Sequence, residues 1–143
     1  MTNDVPNAFI QAHMPEITDG EDRVVMKISG LLVKLLCELA PETYAPYVVI
    51  ENGKKVLYLL VLRAIYGMLQ AALVWYNRFR SDLEEHGFVF NAYDGCMANK
   101  MIDGRQQTIR FHVDDIMSSH KDPKINDAFH KWLNDKYGEI REV

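Results

Sequence analysis

The chain has 143 residues, 48% hydrophobic and 25% charged, the composition of a folded domain with an apolar core rather than of a disordered or fibrous chain. Its 16 Lys and Arg against 20 Asp and Glu give a net charge of −4, so bulk charge does not mark a nucleic-acid binder, although a binding groove depends on local rather than summed charge. The longest apolar stretch, Val56 to Leu62, falls far short of the roughly 20 residues of a membrane span, and no signal peptide is evident, so the sequence reads as a soluble, intracellular protein.

No repeat or linker divides the chain, so residues 1–143 are expected to form a single domain. The first nine residues begin abruptly, with three residues before Asp4, and the polar stretch from Pro15 to Asp22 reads as a loop. Val24 to Leu39 is apolar without a clean period, which leaves its state open. Tyr47 to Ile50 and Lys55 to Leu62 flank Asn52-Gly53, a tight hairpin signal. From Ala64 onward, Ile65, Met68, Ala72, Trp75, Phe79 and Leu83 recur at helical spacing, and Gly87 supplies the cap. Gly67 marks an irregular start to this helix rather than its interior, and Arg78 and Arg80 read as a solvated face.

Phe88 to Phe90 and Cys96 to Ile102 read as extended, and Asp103-Gly104 turns the chain into Gln107 to Val113. Ile116 to Ser119 is the return strand. A second helix follows, with Asp122 as N-cap, Pro123 at its first position, Gly138 past its end, and a stripe of Ile125, Phe129, Trp132 or Leu133, and Tyr137. Helices packed on one face of an antiparallel sheet make an α+β domain. Cys37 and Cys96 lack metal-type spacing and read as reduced, buried thiols, while His13, His86, His120 and His130 have no convergent partners and read as surface residues.

The most informative local feature is Asp114-Asp115, set between Ile109-Arg110-Phe111-His112-Val113 and Ile116-Met117. Adjacent aspartates in mid-strand would send one carboxylate into the core unpaired, which is costly, so the pair belongs at a hairpin tip. Two anions so close raise each other's pKa unless a cation joins them, and a hard divalent ion bound through oxygens, magnesium above all, suits the site. Asp4, just before the small-aromatic-aliphatic run Ala8-Phe9-Ile10, would complete three carboxylates delivered by two distant segments, the donor set of a two-metal phosphoryl-transfer centre.

Taken in order, these segments resemble the reverse transcriptase of copia-type long-terminal-repeat retrotransposons. Asp4-Val5-x-x-Ala8-Phe9 is similar to the first palm motif of that family. Leu62-x-x-Ile65-Tyr66-Gly67-Met68-x-Gln70-Ala71-Ala72-x-x-Trp75-Tyr76 is similar to the second, and His112-Val113-Asp114-Asp115 to the third. Lys136-Tyr137-Gly138-Glu139-Ile140 is similar to the stretch near the end of the palm. The resemblance implies a polymerase palm, a ferredoxin-like antiparallel sheet with helices on one face, and RNA-directed DNA polymerase activity. It assigns Asp4, Asp114 and Asp115 as catalytic ligands of two Mg2+ ions, with Mn2+ a possible substitute. It further assigns Phe9 as the steric gate that favours deoxynucleotides, and Gly67, Gln70, Ala71 and His112 as neighbours of nucleotide and template. The implied partners are a primed RNA or DNA template and a deoxynucleoside triphosphate, with no membrane, in the cytoplasm (as a virus-like particle) or the nucleus.

Two positions depart from the family pattern: Ala72 stands where proline is usual, and His112 replaces an aromatic residue. Against the longer family domain the chain corresponds to an incomplete palm, with part of the fingers, the thumb and the ribonuclease H expected outside it, and on its own it is expected not to extend a primer. Lys100, Arg105 and Arg110 are candidates for nucleic-acid backbone contacts. The rival reading is a catalytically inactive retrotransposon remnant, a non-enzymatic α+β module. A nucleotidyl cyclase, another palm-type enzyme, is disfavoured by the Tyr66-to-Tyr76 run.

Overall fold

The computed structural model describes residues 1–15 and 23–142. Apart from Pro15, the loop expected over Pro15 to Asp22 lies outside the described residues. The chain is mixed α+β with antiparallel sheets, and it divides into two compact units, Pro15–Leu62 and the combination of Met1–Met14 with Arg63–Val143.

The 15–62 unit is a three-stranded sheet with short helices. It contains β2 (Val25–Ser29), α2 (Leu31–Leu39), α3 (Pro41–Tyr44), a 3-10 turn at Ala45–Tyr47, β3 (Val49–Glu51) and β4 (Lys54–Leu60), in strand order β2-β4-β3. The Asn52-Gly53 turn forms as its residue types require, with φ of 49° and 75°, and pairs Glu51 with Lys54.

The other unit contains β1 (Thr2–Asp4), α1 (Ala8–Gln11), α4 (Ala71–Glu85), β5 (Val89–Phe90), β6 (Met97–Ile102), β7 (Arg105–His112), β8 (Asp115–Ser119), α5 (Pro123–Tyr137) and β9 (Arg141–Glu142). Its sheet runs β5-β6-β7-β8-β1-β9, every neighbouring pair antiparallel. Strand β1, first in the chain, is therefore interior, held between β8 and β9. Burial alternates along β7, where Gln107, Ile109 and Phe111 point inward and Gln106, Arg110 and His112 do not. The inward side chains join Phe9 of α1, Trp75, Phe79 and Leu83 of α4, and Phe129, Leu133 and Tyr137 of α5 in one core. The helices thus share one face of the sheet and leave the other open.

Hairpin chemistry is followed at Asp103-Gly104, whose φ values of 49° and 73° make the two-residue connection between β6 and β7. A side chain at position 104 would meet no neighbouring atom, so only the backbone conformation demands glycine. Gly104→Ala is expected to cost about 1 kcal/mol, read as a lower urea midpoint at unchanged m-value.

Two expectations about helices are corrected. Helix α4 begins at Ala71, not Ala64: Tyr66 and Gly67 form a turn with Gly67 at φ 90°, and the Ala64 N–H bonds back to the Ala12 carbonyl at 3.0 Å instead of entering a helix. The buried stripe accordingly runs through Ala71, Trp75, Phe79, Asp82 and Leu83, and Ala72 is exposed. Nor are Arg78 and Arg80 simply solvated. Arg78 pairs with buried Asp82 at 2.8 Å, and the Arg80 guanidinium lies 4.5 Å over the Phe90 ring. Helix α5 matches its signals, with the Asp122 carboxylate accepting from the Lys124 N–H at 3.0 Å.

The histidines are also more engaged than their isolation in sequence suggests. His86 stacks on Trp132 at 4.4 Å, His120 Nδ1 accepts from the Asp122 N–H at 3.0 Å, and His130 is half-buried against Asn3. Cys37 and Cys96 are free thiols, half-buried rather than buried.

Candidate active site at the β1–β8 edge

The β7–β8 hairpin places the aspartate pair asymmetrically. His112 and Asp115 face each other across a two-residue turn made of Val113 and Asp114. Only Asp114 is in the turn, and Asp115 is the first residue of β8, which corrects the expectation that both occupy the tip. Val113 has φ 56°, a left-handed conformation that β-branched residues rarely adopt and that turns of this length normally give to glycine. Strain of this kind costs on the order of 1–3 kcal/mol and persists only where the surroundings enforce it. Here the Trp75 indole N–H, from α4, donates to the Val113 carbonyl at 2.6 Å, and the Val5 N–H donates to the Asp114 carbonyl at 3.0 Å. The turn is clamped from the helix side and from β1.

Strand β1 brings Asp4 to the same place. Its register pairs Thr2 with Met117, Asn3 with Ile116, and Asp4 with Asp115. Met1 and Ser118 exchange both backbone bonds, at 3.1 and 2.9 Å, so bonded pairs recur at Asn3–Ile116 and Asp4–Asp115 is a non-bonded pair. In such pairs the Cα atoms approach to about 4.5 Å and the side chains lie on one face, closer than elsewhere in the ladder. Among the described residues no lysine or arginine is salt-bridged to Asp4 or Asp115, although Arg141 of β9 is opposite Asp4 on its other side. Like charges directly opposed destabilise a sheet, so Asp115→Asn is expected to raise stability by about 0.5 kcal/mol in metal-free buffer, read as a higher denaturation midpoint.

Tyr66 closes the cluster. Its hydroxyl donates to Asp114 Oδ2 at 3.2 Å, and its ring meets Phe9 at a centroid distance of 4.5 Å. Burial, the charge and hydrogen bond of Asp114, and the charge of Asp4 all push its hydroxyl above the ordinary tyrosine range, so it remains a donor.

The structure therefore brings Asp4, Phe9, His112, Asp114 and Asp115 together around one corner of the sheet. The second motif is placed less uniformly: Gly67 is in the turn before α4, Gln70 is exposed at the N-cap, and the Ala71 side chain is in the core. Beside the carboxylates the open face carries a groove of about 440 Å³, lined by Thr2, Cys96, Arg110, His112, Asp115 and Met117 among others. Of the three cations proposed for nucleic-acid contact, only Arg110 lines this groove. Lys100 donates to the His86 carbonyl at 2.6 Å, and Arg105 lines a separate pocket near Asp122.

Tyr66 and Trp75 are the residues that sequence reasoning undervalued. Trp75 was legible as core, but a buried indole N–H needs an acceptor, and that rule could have pointed to a role beyond packing. Nothing local in the sequence identifies Tyr66 as the partner of Asp114, since 48 residues separate them.

The donor set suits a hard divalent cation in chemistry, three carboxylates with hydroxyl and carbonyl oxygens nearby. Among the described residues, however, no group of three or more His, Cys, Asp or Glu is gathered closely enough to hold a metal ion, so the three aspartates share one corner of the sheet without forming a metal cage. No described helix is long and apolar enough to cross a membrane. Comparison with protein-family models, curated proteins and solved structures finds no match to this chain.

Proposed function

We propose that this chain carries the palm-type nucleotidyl-transfer site of a copia-type reverse transcriptase, an RNA-directed DNA polymerase acting on a primed RNA or DNA template. The observation that carries the reading is the register of β1, which sets Asp4 directly opposite Asp115 beside the turn holding Asp114. The connectivity β1–α4–β7–β8–α5–β9, with spatial order β9-β1-β8-β7, supports it as the ferredoxin-like arrangement of a palm, β5 and β6 extending the far edge.

In this reading Asp4, Asp114 and Asp115 hold magnesium or manganese. When bound, two such ions supply charge stabilisation for the attacking primer oxygen and the leaving pyrophosphate. The chain's own groups do the positioning. Trp75 and Val5 fix the turn by its carbonyls, and Tyr66 holds the Asp114 carboxylate in one orientation. Phe9, 8% exposed and packed against Tyr66, would be the aromatic gate that disfavours a 2′-hydroxyl on the incoming nucleotide. The open face beside Arg110 and His112 is the surface on which a primer end would rest.

Thermal unfolding with nucleotides tests the reading. A deoxynucleoside triphosphate with Mg2+ should raise the midpoint of the wild-type chain, the matching ribonucleotide should raise it less, and Phe9→Ala should remove that difference. An equal shift from both nucleotides in the wild type, or an undiminished shift in Asp4→Asn, would contradict it. The inactive-remnant reading, a non-enzymatic α+β module that can still bind metal, predicts no difference between deoxy- and ribonucleotide and no effect of Phe9→Ala on one.

A further inference from the structure

The face that β1 presents inward contains one polar residue whose role the proposed chemistry does not explain. Asn3 is fully buried, and its Oδ1 lies 2.6 Å from His130 Nδ1 on α5. The other ring nitrogen is 2.9 Å from Asn134 Nδ2. Asn134 cannot be turned the other way, because its Oδ1 accepts from the Ile140 N–H at 2.8 Å. Asn134 Nδ2 must therefore donate to His130 Nε2, which makes Nε2 the acceptor and leaves the ring proton on Nδ1, aimed at Asn3 Oδ1. Among the described residues the Asn3 amide nitrogen finds no partner, so the buried asparagine is an expensive residue to keep.

The register of β1 accounts for it. Alternation alone prevents a one-residue slip of β1, which would turn Asp4 into the core. It does not prevent a slip of two, because Met1, Asn3 and Val5 share the inward face and two of them are apolar. Backbone bonding resists it only over a short ladder, in which Met1, Asn3 and Val5 bond to the β8 hairpin and the outer neighbour β9 has two residues. A two-residue slip would carry Asp4 about 7 Å along β8, away from Asp115.

We propose that His130, oriented by Asn134, is a positioning residue that selects Asn3 from the inward-facing residues of β1 and so locks Asp4 opposite Asp115. The relay acts on the carboxylate site through the strand and touches neither metal nor substrate. Its importance for catalysis rests on the function proposed above; the register itself does not. Buried polar pairs are best attested in this role of specifying register, at little or no gain in stability.

Cross-strand disulfide trapping tests the lock without metal or substrate. Thr2 and Met117 are directly opposed in a non-bonded pair, with a Cα separation suited to a disulfide. In a Cys37→Ser/Cys96→Ser background, Thr2→Cys with Met117→Cys should oxidise readily. His130→Leu should slow the crosslink about tenfold, whereas His130→Gln, which can donate and accept at the same two places, should restore it. Crosslinking of His130→Leu at the wild-type rate, or a His130→Gln variant as slow as leucine, would overturn the proposal. Should His130→Leu fail to fold, Asn3→Leu/His130→Leu decides: it replaces the polar pair with an apolar one, and the lock predicts a folded chain with slow crosslinking, while fast crosslinking overturns it. Mn2+ affinity of the same variants then connects register to site. A wild-type chain that crosslinks as predicted but binds no Mn2+ would sink the functional reading and leave the lock standing.

Discussion

Trp75→Ala is expected to destabilise the chain by about 4 kcal/mol, the largest effect of any single substitution at the site. The indole is 1% exposed, stacks on Phe79 at 5.5 Å and meets the edge of Tyr137 at 5.4 Å, so its removal opens a cavity between α4, α5 and the sheet. It also strips the Val113 carbonyl of its donor at the point where the backbone is forced to positive φ. Trp75→Phe separates the two contributions. It keeps most of the aromatic volume and loses the hydrogen bond, and should cost about 2 kcal/mol. The phenylalanine variant should remain folded by circular dichroism while its β7–β8 turn loosens, read as faster amide exchange in and around the turn. A stability close to wild type in Trp75→Phe would show that the turn holds itself.

The second large effect is at Asp82, on the far side of the core from the open face. Its carboxylate is 4% exposed, pairs with Arg78 at 2.8 Å and Lys136 at 2.7 Å, and accepts from the Tyr137 hydroxyl, tying α4 to α5. Asp82→Ala leaves the buried Tyr137 hydroxyl without its acceptor, Arg78 without its anion and Lys136 with only the longer Glu85 contact at 3.7 Å, and should cost about 3 kcal/mol. For a unit of this size that lowers the melting temperature by roughly 10 °C or more. The same group gives a pH signature. Burial pushes the Asp82 carboxyl up, but the hydrogen bonds from Lys136, Tyr137 and Arg78 outweigh it and hold it below its ordinary value of 3.8. The unfolded chain therefore takes up this proton more readily than the folded one. The stabilisation is complete above about pH 4 and is lost as pH falls through the lower folded value. Wild type and Asp82→Ala should converge in stability on acidification below that point, and parallel curves down to pH 2 would show that the network is not the source.

Much of this architecture was written into local residue chemistry. Asn52-Gly53 and Asp103-Gly104 can adopt paired positive φ, so both hairpin turns were legible. Asp122, Pro123 and Gly138 bracket α5 because each does what a helix interior cannot. Helix α2 was not legible, because Val33, Leu36 and Cys37 fill the positions between Leu31, Leu32, Leu35 and Leu39 and blur their helical spacing, and in the structure that leucine stripe is exposed rather than packed on a core. The start of α4 was misread because Ala64, Ile65 and Met68 keep a helical spacing while Gly67 and the Ala64–Ala12 bond take the backbone elsewhere.

At the site, the three aspartates stood out as charges that neither a strand interior nor a core would accept. Their juxtaposition did not, because it depends on β1 inserting between β8 and β9, a pairing that joins residues more than 100 positions apart. The roles of Tyr66 toward Asp114, Trp75 toward Val113 and His130 toward Asn3 are contacts of the same kind, invisible until the sheet is assembled.

The proposed site requires Asp4, Asp114 and Asp115 together to hold a divalent cation where β1 pairs with β8 in the sheet interior. Electron paramagnetic resonance of Mn2+ measures it directly, because the sharp signal of the free ion disappears on binding. The account predicts saturable binding by the wild-type chain, displaced by Mg2+, and at least about tenfold weaker in Asp4→Asn and Asp115→Asn, since each removes a charged ligand. No binding by the wild type, or equal binding by both variants, would contradict it.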